Sequence, residues 1–269
     1  DVPKFAVVAY GKLGGKELGY SSDLDLIYLF DDEDMSASKN YTRLVRRMMS
    51  WLTVQTSSGI LFDVDLRLRP NGENGLVVSS LDMFKRYQRN EDGTGAWPWE
   101  HQALTRARFC AGDREIGDAF ERERAEILCL PRVKEEVFMN VVDMRQKMLE
   151  GHGNPTRLFD LKHDRGGMVD VEFAVQALVL AYSHEHPELI NNFGNIRLLS
   201  MAADAGLIEP AVAERAAAAY RRYRAIQRTI RLERGDIPAR VDFAMVADEI
   251  AAVKALWVAI FGDEGPQRG

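Results

Sequence analysis

Residues 11–26 read Gly-Lys-Leu-Gly-Gly-Lys-Glu-Leu-Gly-Tyr-Ser-Ser-Asp-Leu-Asp-Leu, and this stretch decides the fold because it joins a glycine turn to two carboxylates. The apolar, β-branched and aromatic runs at residues 5–10 and 24–30 predict a buried strand on each side of the turn. Residues i and i+2 of a strand face the same side, so Asp23 and Asp25 should point together. Carboxylates this close repel each other unless a cation lies between them, and Mg²⁺ is the natural ion for such oxygens. The stretch predicts a metal site beside a phosphate cradle.

A third strand is predicted over residues 60–69 by the alternation of charged and apolar residues. Asp63, Asp65, Arg67 and Arg69 share one face of this predicted strand, and the apolar side chains share the other. If this strand lies beside the one at residues 24–30, Asp65 joins the two earlier acids. Three such carboxylates would hold two metal ions roughly 3.5 to 4 Å apart at a transferring phosphoryl group. The acids are therefore candidate catalytic residues and metal ligands.

The residues around the acids predict a nucleotide-binding site. Glycine lets the backbone approach a polyphosphate and offer amide donors, serine hydroxyls can donate to the same oxygens, and arginine can bind phosphate bidentately. Lys12 either pairs with the triphosphate or is an exposed turn lysine, and one of the two arginines could instead be a structural partner of Asp63 or Glu73. The candidate nucleotide-binding residues are Gly11, Lys12, Gly14, Gly15, Ser21, Ser22, Arg67 and Arg69.

Composition limits the class of protein. Two cysteines, Cys110 and Cys129, are too few for a disulfide framework, which favours the reducing cytoplasm. No apolar run approaches the roughly 20 residues of a membrane span, and no signal peptide is evident. The net charge of −6 disfavours a nucleic-acid enzyme, which needs a basic track. A start at Asp1, just before a candidate catalytic strand, suggests a fragment of a longer protein.

The pattern of predicted elements changes near residue 115, so two domains are expected. Residues 1–114 alternate strands with helices and predict an α+β catalytic domain with a mixed sheet. Residues 115–269 are dominated by helical patterns separated by turn signals and predict a C-terminal helical bundle. The predicted helices of this second part span residues 114–128, 133–150, 169–183, 195–205, 210–234 and 243–261.

Three longer motifs carry a family resemblance that extends from the first residues to about position 260. They are residues 7–27 (VVAYGKLGGKELGYSSDLDLI), residues 63–72 (DVDLRLRPNG) and residues 99–108 (WEHQALTRAR). Together they closely resemble the glutamine synthetase adenylyltransferases, within the polymerase-beta-type nucleotidyltransferase superfamily. The resemblance implies a polymerase-beta-like fold, ATP as substrate and Asp23, Asp25 and Asp65 as ligands of two Mg²⁺ ions.

The resemblance also implies a function and its partners. Members of the family carry two homologous halves, and residues 159–173 (FDLKHDRGGMVDVEF) resemble the C-terminal, adenylylating half. The implied reaction transfers AMP from ATP to a tyrosine hydroxyl of glutamine synthetase and releases pyrophosphate, under control of a PII-type nitrogen signalling protein. One alternative is phosphate-dependent removal of AMP from the modified synthetase. The other is a non-catalytic domain that binds nucleotide or PII.

An acid-rich cluster around Gly166 and Gly167 is left without a predicted role. Glu172 lies on an otherwise apolar helix and would be costly to bury unpaired, so it should face a cation or a polar cleft. Arg165 or Lys162 is the expected structural partner. The cluster comprises Lys162, Asp164, Asp170 and Glu172.

Overall fold

A computed structural model describes residues 3–19, 22–72, 75–235 and 237–262, and the chain divides into two compact units. Unit 1 is Asp1–Leu130 and unit 2 is Pro131–Gly269. The division falls after the helix Arg114–Leu128, whereas the predicted boundary at residue 114 precedes it. This helix belongs to unit 1 because its buried Phe120 packs on Phe84 of the same unit, with ring centroids 5.6 Å apart.

A mixed sheet forms the centre of unit 1. Strand β1 pairs antiparallel with both β2 and β5, while β2 pairs parallel with β3 and with β4, so the order is β3-β2-β1-β5 with β4 also on β2. The mixed α/β class predicted from the sequence is therefore present. The strands are β1 Phe5–Ala9, β2 Leu24–Phe30, β3 Val64–Asp65, β4 Ser79–Ser80 and β5 Arg108–Gly112.

Helices cover the sheet and bury its apolar side chains. On one side, the ring of Tyr41 stacks on Phe5 and on Phe30, each at a centroid distance of 5.5 Å. Asp113 caps the last helix of the unit, because its carboxylate accepts the amide hydrogen of Glu115 at 2.8 Å. The helices are α1 Gly11–Gly14, α2 Ala37–Thr53, α3 Leu81–Gln88, α4 Pro98–Leu104 and α5 Arg114–Leu128.

The strand predicted over residues 60–69 is wrong in length, because only Val64–Asp65 pairs with β2. The amide of Arg67 turns back to the carboxylate of Asp65 at 2.8 Å, and the amide of Arg69 donates to Leu66 at 3.2 Å. These local bonds replace a strand ladder immediately after Asp65. Residues Asp65, Arg67 and Arg69 therefore do not share one extended face.

Unit 2 is mostly helical within its described residues. A two-stranded antiparallel pair, β6 Phe159–Asp160 and β7 Arg240–Val241, was not predicted. The helices lie close to the predicted ranges, except that the last α-helix begins only at Ala247, after a 3-10 turn at Phe243–Val246. The helices are α6 Lys134–Gly151, α7 Met168–Tyr182, α8 Asn195–Asp204, α9 Pro210–Arg234 and α10 Ala247–Phe261.

Helix α7 is central to the packing of unit 2, because residues on all its faces are buried. Its side chains form an apolar core with those of α8, α9 and α10, in which Leu178, Leu199 and Leu256 are buried. Among the helices that the structure describes, none combines the length and the apolar character that crossing a membrane requires.

The acid-rich cluster of unit 2 forms a buried hydrogen-bonded network. The carboxylate of Asp170 accepts three hydrogen bonds: from Nε of Arg145 at 2.5 Å, from Nη1 of Arg165 at 3.1 Å and from the backbone amide of Gly166 at 2.6 Å. The carboxylate of Glu172 accepts a hydrogen bond from the hydroxyl of Tyr220 at 3.0 Å, and Arg165 is ion-paired with Asp170 at 3.1 Å.

Two further members of this cluster hold the chain that leads into α7. The carboxylate of Asp164 accepts the amide of Asp160 at 2.8 Å and the side-chain amide of Asn154 at 2.7 Å. The amide of Lys162 donates to the carboxylate of Asp160 at 3.0 Å. These contacts give Asp164 and Asp170 a structural role.

Candidate metal and nucleotide site

Three carboxylates converge at one edge of the sheet in unit 1. Strand β3 runs parallel to β2 in a register that sets Asp65 directly beside Asp25, and Asp23 precedes β2 by one residue. Oxygen atoms of Asp23, Asp25 and Asp65 all lie within 4.8 Å of one another. Asp23 is exposed, and the other two are half-buried. Three anionic oxygens at this range form a donor set that fits a hard divalent cation such as Mg²⁺.

The charge of Asp25 is poorly compensated by the protein itself. The pKa of Asp25 is raised to about 6, chiefly by burial and then by the neighbouring Asp23 and Asp65, against smaller opposing effects of Lys12 and Arg106. A group whose charged form is disfavoured by its own fold is stabilised when a cation arrives. The electrostatics of Asp25 therefore agree with the chemistry of the three carboxylates.

Metal affinity is expected to depend on pH through Asp25. A cation needs the charged carboxylate, so affinity should be constant well above pH 6 and fall as the pH drops below the Asp25 pKa of about 6. Electron paramagnetic resonance measures the affinity for Mn²⁺ at each pH between 5 and 8. Well below the Asp25 pKa, this affinity should fall about tenfold for each unit of pH. Affinity that stays level down to pH 5 would contradict the raised pKa.

Asp65 stays charged for a different reason. Burial raises the pKa of Asp65, but the hydrogen bonds from Arg67 outweigh it and the net pKa is lowered. Nε of Arg67 lies 2.8 Å from Oδ2 of Asp65, and Nη2 of Arg67 also donates to that oxygen. Two neighbouring carboxylates thus have pKa values pushed in opposite directions, which is typical of functional sites.

The two predicted phosphate arginines serve other contacts in this structure. Arg67 is ion-paired with Asp65, as described above. Arg69 donates from Nε to the carbonyl of Gly75 at 3.2 Å and from Nη1 to that of Leu66 at 3.0 Å, so it braces the loop after β3. Both arginines thus shape the segment that follows Asp65, one on its carboxylate and the other on loop carbonyls.

The glycine turn is required by close packing. Gly11 has φ +50°, and a Cβ there would lie 1.9 Å from Oδ2 of Asp25. A Cβ on Gly14 would lie 2.2 Å from the carbonyl oxygen of Arg106, and one on Gly15 would lie 2.5 Å from the guanidinium of Arg106. A side chain at any of these positions would therefore displace the turn from Asp25 or from Arg106.

The amides of Gly14 and Gly15 donate hydrogen bonds to backbone carbonyls of the turn. The Gly14 amide donates to the carbonyl of Tyr10 at 2.7 Å, and the Gly15 amide donates to that of Gly11 at 3.0 Å. These bonds close the single turn of α1. Both amides are used inside the turn, so these glycines serve packing first.

Alanine at Gly11 is expected to reduce activity strongly, because its Cβ would push the Asp25 carboxylate out of place. Misplacement of a catalytic group by about 1 Å lowers turnover on the order of 100-fold. Gly93→Ala is the matched control, since Gly93 also has positive φ but has open space around its Cα. The measurement is nucleotidyl transfer by both variants beside their melting temperatures. Equal activity of the two variants would show that the collision at Asp25 has no consequence.

The remaining predicted residues are placed as follows. The hydroxyl of the buried Ser22 accepts the amide of Gly19 at 3.2 Å, so it fixes the loop before β2. Lys12 is half-buried in α1 and lies close enough to Asp25 to lower its pKa. Ser21 lies outside the described residues.

Two arginines that sequence reasoning did not single out hold the turn in place. Arg108 donates from Nε to the carbonyl of Gly14 and from Nη2 to that of Leu13, both at 3.1 Å. Arg106 pairs with Glu17 at 2.7 Å. Arg106 lies in the turn after α4 and Arg108 is the first residue of β5, so the signal that could have found them is their place in the motif at residues 99–108.

Sequence comparisons identify relatives of the chain. Residues 1–123 match the family described as glutamate-ammonia ligase adenylyltransferase, and residues 142–253 match the family described as GlnD PII-uridylyltransferase. The first match contains the three carboxylates, the glycine turn, and the two arginines that hold the turn, Arg106 and Arg108.

Curated relatives match nearly the whole chain. Proteins named bifunctional glutamine synthetase adenylyltransferase/adenylyl-removing enzyme are similar to it at 56% identity in Burkholderia mallei, over 97% of this chain and 28% of the relative, and at 56% in Ralstonia nicotianae, over 97% and 27%. The one from Nitrosomonas europaea is 50% identical over 97% of this chain and 29% of the relative. The chain thus spans somewhat more than a quarter of these relatives.

Proposed function

Because this chain belongs to the glutamine synthetase adenylyltransferase family, we propose that it transfers AMP from ATP to a tyrosine hydroxyl of glutamine synthetase. The phenolic oxygen would form a bond to the α-phosphorus, the bond to the bridging oxygen would break, and pyrophosphate would leave. The convergence of Asp23, Asp25 and Asp65 within 4.8 Å, beside a glycine turn, is the observation that carries this proposal. Nucleotidyl transfer needs such a set of carboxylates.

The residues of the site divide the work in this proposal. Asp23, Asp25 and Asp65 would hold two Mg²⁺ ions, which supply neutralisation of the phosphate charge. Asp65, whose carboxylate Arg67 holds in place, would also orient the attacking hydroxyl or accept its proton. Lys12, from the half-buried α1 turn, would pair with the triphosphate, and Ser21 and Ser22 would contribute hydroxyls from the loop before β2.

The fold and the setting of the protein are part of the proposal. Unit 1 would be a polymerase-beta-like catalytic domain, and the helices of unit 2 would form a bundle. The match of residues 142–253 to a PII-uridylyltransferase description supports a PII-type protein as the regulator. The two cysteines, Cys110 and Cys129, are too few for a disulfide framework, which fits the reducing cytoplasm as the compartment.

A labelling experiment tests whether the chain adds AMP to glutamine synthetase or removes it. The chain is incubated with Mg²⁺, ATP labelled at the α-phosphate and unmodified glutamine synthetase, and label on the synthetase is measured. Adenylylated synthetase with inorganic phosphate is the parallel reaction. Label transfer without phosphate-dependent removal is expected, and removal without transfer would overturn the proposed direction in favour of the opposite activity.

A non-catalytic domain that binds nucleotide or PII is the other alternative. It would give neither reaction while still binding nucleotide, which equilibrium dialysis with ATP would show. The intact set of three acids in register favours the enzyme over this alternative.

A further inference from the structure

Arg108 contacts the glycine turn on the side away from Asp25. Strand β5 pairs with β1 in a register that places Arg108 opposite Ala9, the last residue of β1 before the turn. From there its guanidinium reaches the carbonyl oxygens of Leu13 and Gly14, both at 3.1 Å. The turn is thus held between a carboxylate on β2 and a guanidinium on β5.

The turn needs such support because it is too short to be stable alone. Helix α1 has four residues, and a single helical turn fixes several dihedral angles for one or two internal bonds. The carbonyl of Leu13 accepts the backbone amide of Lys16 at 3.2 Å. Arg108 adds a second hydrogen bond to that carbonyl and one to the carbonyl of Gly14, from a planar, permanently charged group that donates in a fixed geometry.

Neighbouring arginines extend this support into unit 1. Arg106 packs its guanidinium against Gly15 and pairs with Glu17, which follows the turn. Nε of the buried Arg124, on α5, donates to the carbonyl of Leu104 at 3.0 Å, and its Nη2 donates to that of Thr105 at 2.6 Å. A chain of arginine contacts therefore connects α5, the approach to β5 and the turn.

We propose that Arg108 is a positioning residue for nucleotide binding, which acts by fixing and neutralising the carbonyls of Leu13 and Gly14. The partial negative charge of these carbonyl oxygens would repel an anionic triphosphate, and the guanidinium offsets that partial charge. The same contact keeps Gly11 seated on the carboxylate of Asp25. This inference rests on the proposed function, since it assigns a role within the same nucleotide site.

The test compares Arg108→Ala, Arg108→Lys and the wild type as full 269-residue chains. The KM for ATP should rise about tenfold in Arg108→Ala with the KM for glutamine synthetase unchanged, and Arg108→Lys should recover part of the loss because it keeps the charge without the fork. The affinity of Arg108→Ala for the Mg²⁺ complex of α,β-methylene-ATP, measured by calorimetry, should fall by a similar factor. Arg86→Ala is the control, since this arginine lies in the same unit, is exposed and pairs with Asp82 four residues earlier on the same helix.

A purely structural role would give a different result. In that case the melting temperature of Arg108→Ala would fall while the KM for ATP and the analogue affinity stayed at wild-type values, and the inference would be overturned. If Arg108→Ala does not fold, the KM for ATP and the analogue affinity are measured on Arg108→Lys instead. Wild-type values of both in that variant would overturn the inference. A wild type that binds the analogue without transferring AMP refutes the proposed function alone, because the analogue affinities still decide the role of Arg108.

Discussion

Replacement of Asp25 by asparagine is expected to abolish AMP transfer, with a loss on the order of 1,000-fold or more in kcat. Asparagine keeps the shape of the side chain and removes the charge that a divalent cation requires. The same loss is expected for Asp65→Asn, whose carboxylate lies beside Asp25 in the parallel register of β2 and β3. Asp23→Asn completes the series. Transfer is measured with α-labelled ATP and glutamine synthetase at saturating Mg²⁺.

Asp63→Asn is the matched control for this series. Asp63 is exposed, lies two residues before Asp65, and contributes its backbone carbonyl, which accepts the amide of Leu24 at 2.8 Å. Its carboxylate is not one of the three that converge, so the variant should keep near-wild-type activity. Equal losses in Asp63→Asn and Asp25→Asn would mean that general acidity of the loop matters, and the assignment of three specific ligands would fail.

Loss of the buried Arg145 is expected to destabilise unit 2 by about 3 to 5 kcal/mol, because it breaks a buried ion pair and leaves the Asp170 charge to Arg165 and the Gly166 amide. The side chains of Arg145 and Asp170 are 0% and 1% exposed, and Nε of Arg145 lies 2.5 Å from Oδ1 of Asp170. Nη2 of Arg145 also donates to the carbonyl of His163 at 2.7 Å. Arg145→Met preserves most of the volume, and chemical denaturation followed by circular dichroism gives the free energy of unfolding.

Arg222→Met provides the comparison within the same unit. Arg222 is largely exposed and pairs with Glu249 at 2.9 Å, so its loss should lower the free energy of unfolding by less than about 1 kcal/mol. A similar small loss for Arg145→Met would show that the network around Asp170 contributes little to stability. The acid-rich cluster would then need an explanation other than the structural one.

The sequence predicted the local elements whose signals lie within a few residues. The strands at residues 5–9 and 24–30 follow from runs that are mostly apolar, and the pair Asp23 and Asp25 follows from strand alternation. Most helices could also be predicted, because the spacing of apolar residues and the turn residues at their ends define them. Helix α9 matches the predicted range of residues 210–234 at both ends, between the turn glycines Gly206 and Gly235.

Features that depend on distant contacts could not be predicted in the same way. Residues 60–69 alternate like a strand, but the carboxylate of Asp65 captures the Arg67 amide and ends the pairing early. Strand β5 carries few β-branched residues, and it is a strand because it pairs with β1. Helix α5 has an ordinary amphipathic pattern, and only its packing on Phe84 assigns it to unit 1.

The site shows the same distinction. Strand alternation predicted the pair Asp23 and Asp25, and the family resemblance selected Asp65. The reason for glycine at positions 14 and 15 is instead the backbone and guanidinium of Arg106, which is distant in sequence. Arg108 and Arg145 act on carbonyls and carboxylates of other elements, and a sequence motif gives the residue type without its partner. The long-range hydrogen bonds of arginine are therefore the main contacts that the structure shows and the sequence did not predict.

Anomalous diffraction from crystals of the chain with Mn²⁺ and α,β-methylene-ATP tests the central claim most directly. Manganese stands in for magnesium at oxygen ligands, and its anomalous signal identifies each ion independently of the protein. The predicted result is manganese within about 2.2 Å of carboxylate oxygens from Asp23, Asp25 and Asp65, with the nucleotide phosphates on the same ions. Nucleotide bound elsewhere, or manganese that leaves Asp65 paired only with Arg67, would contradict the account.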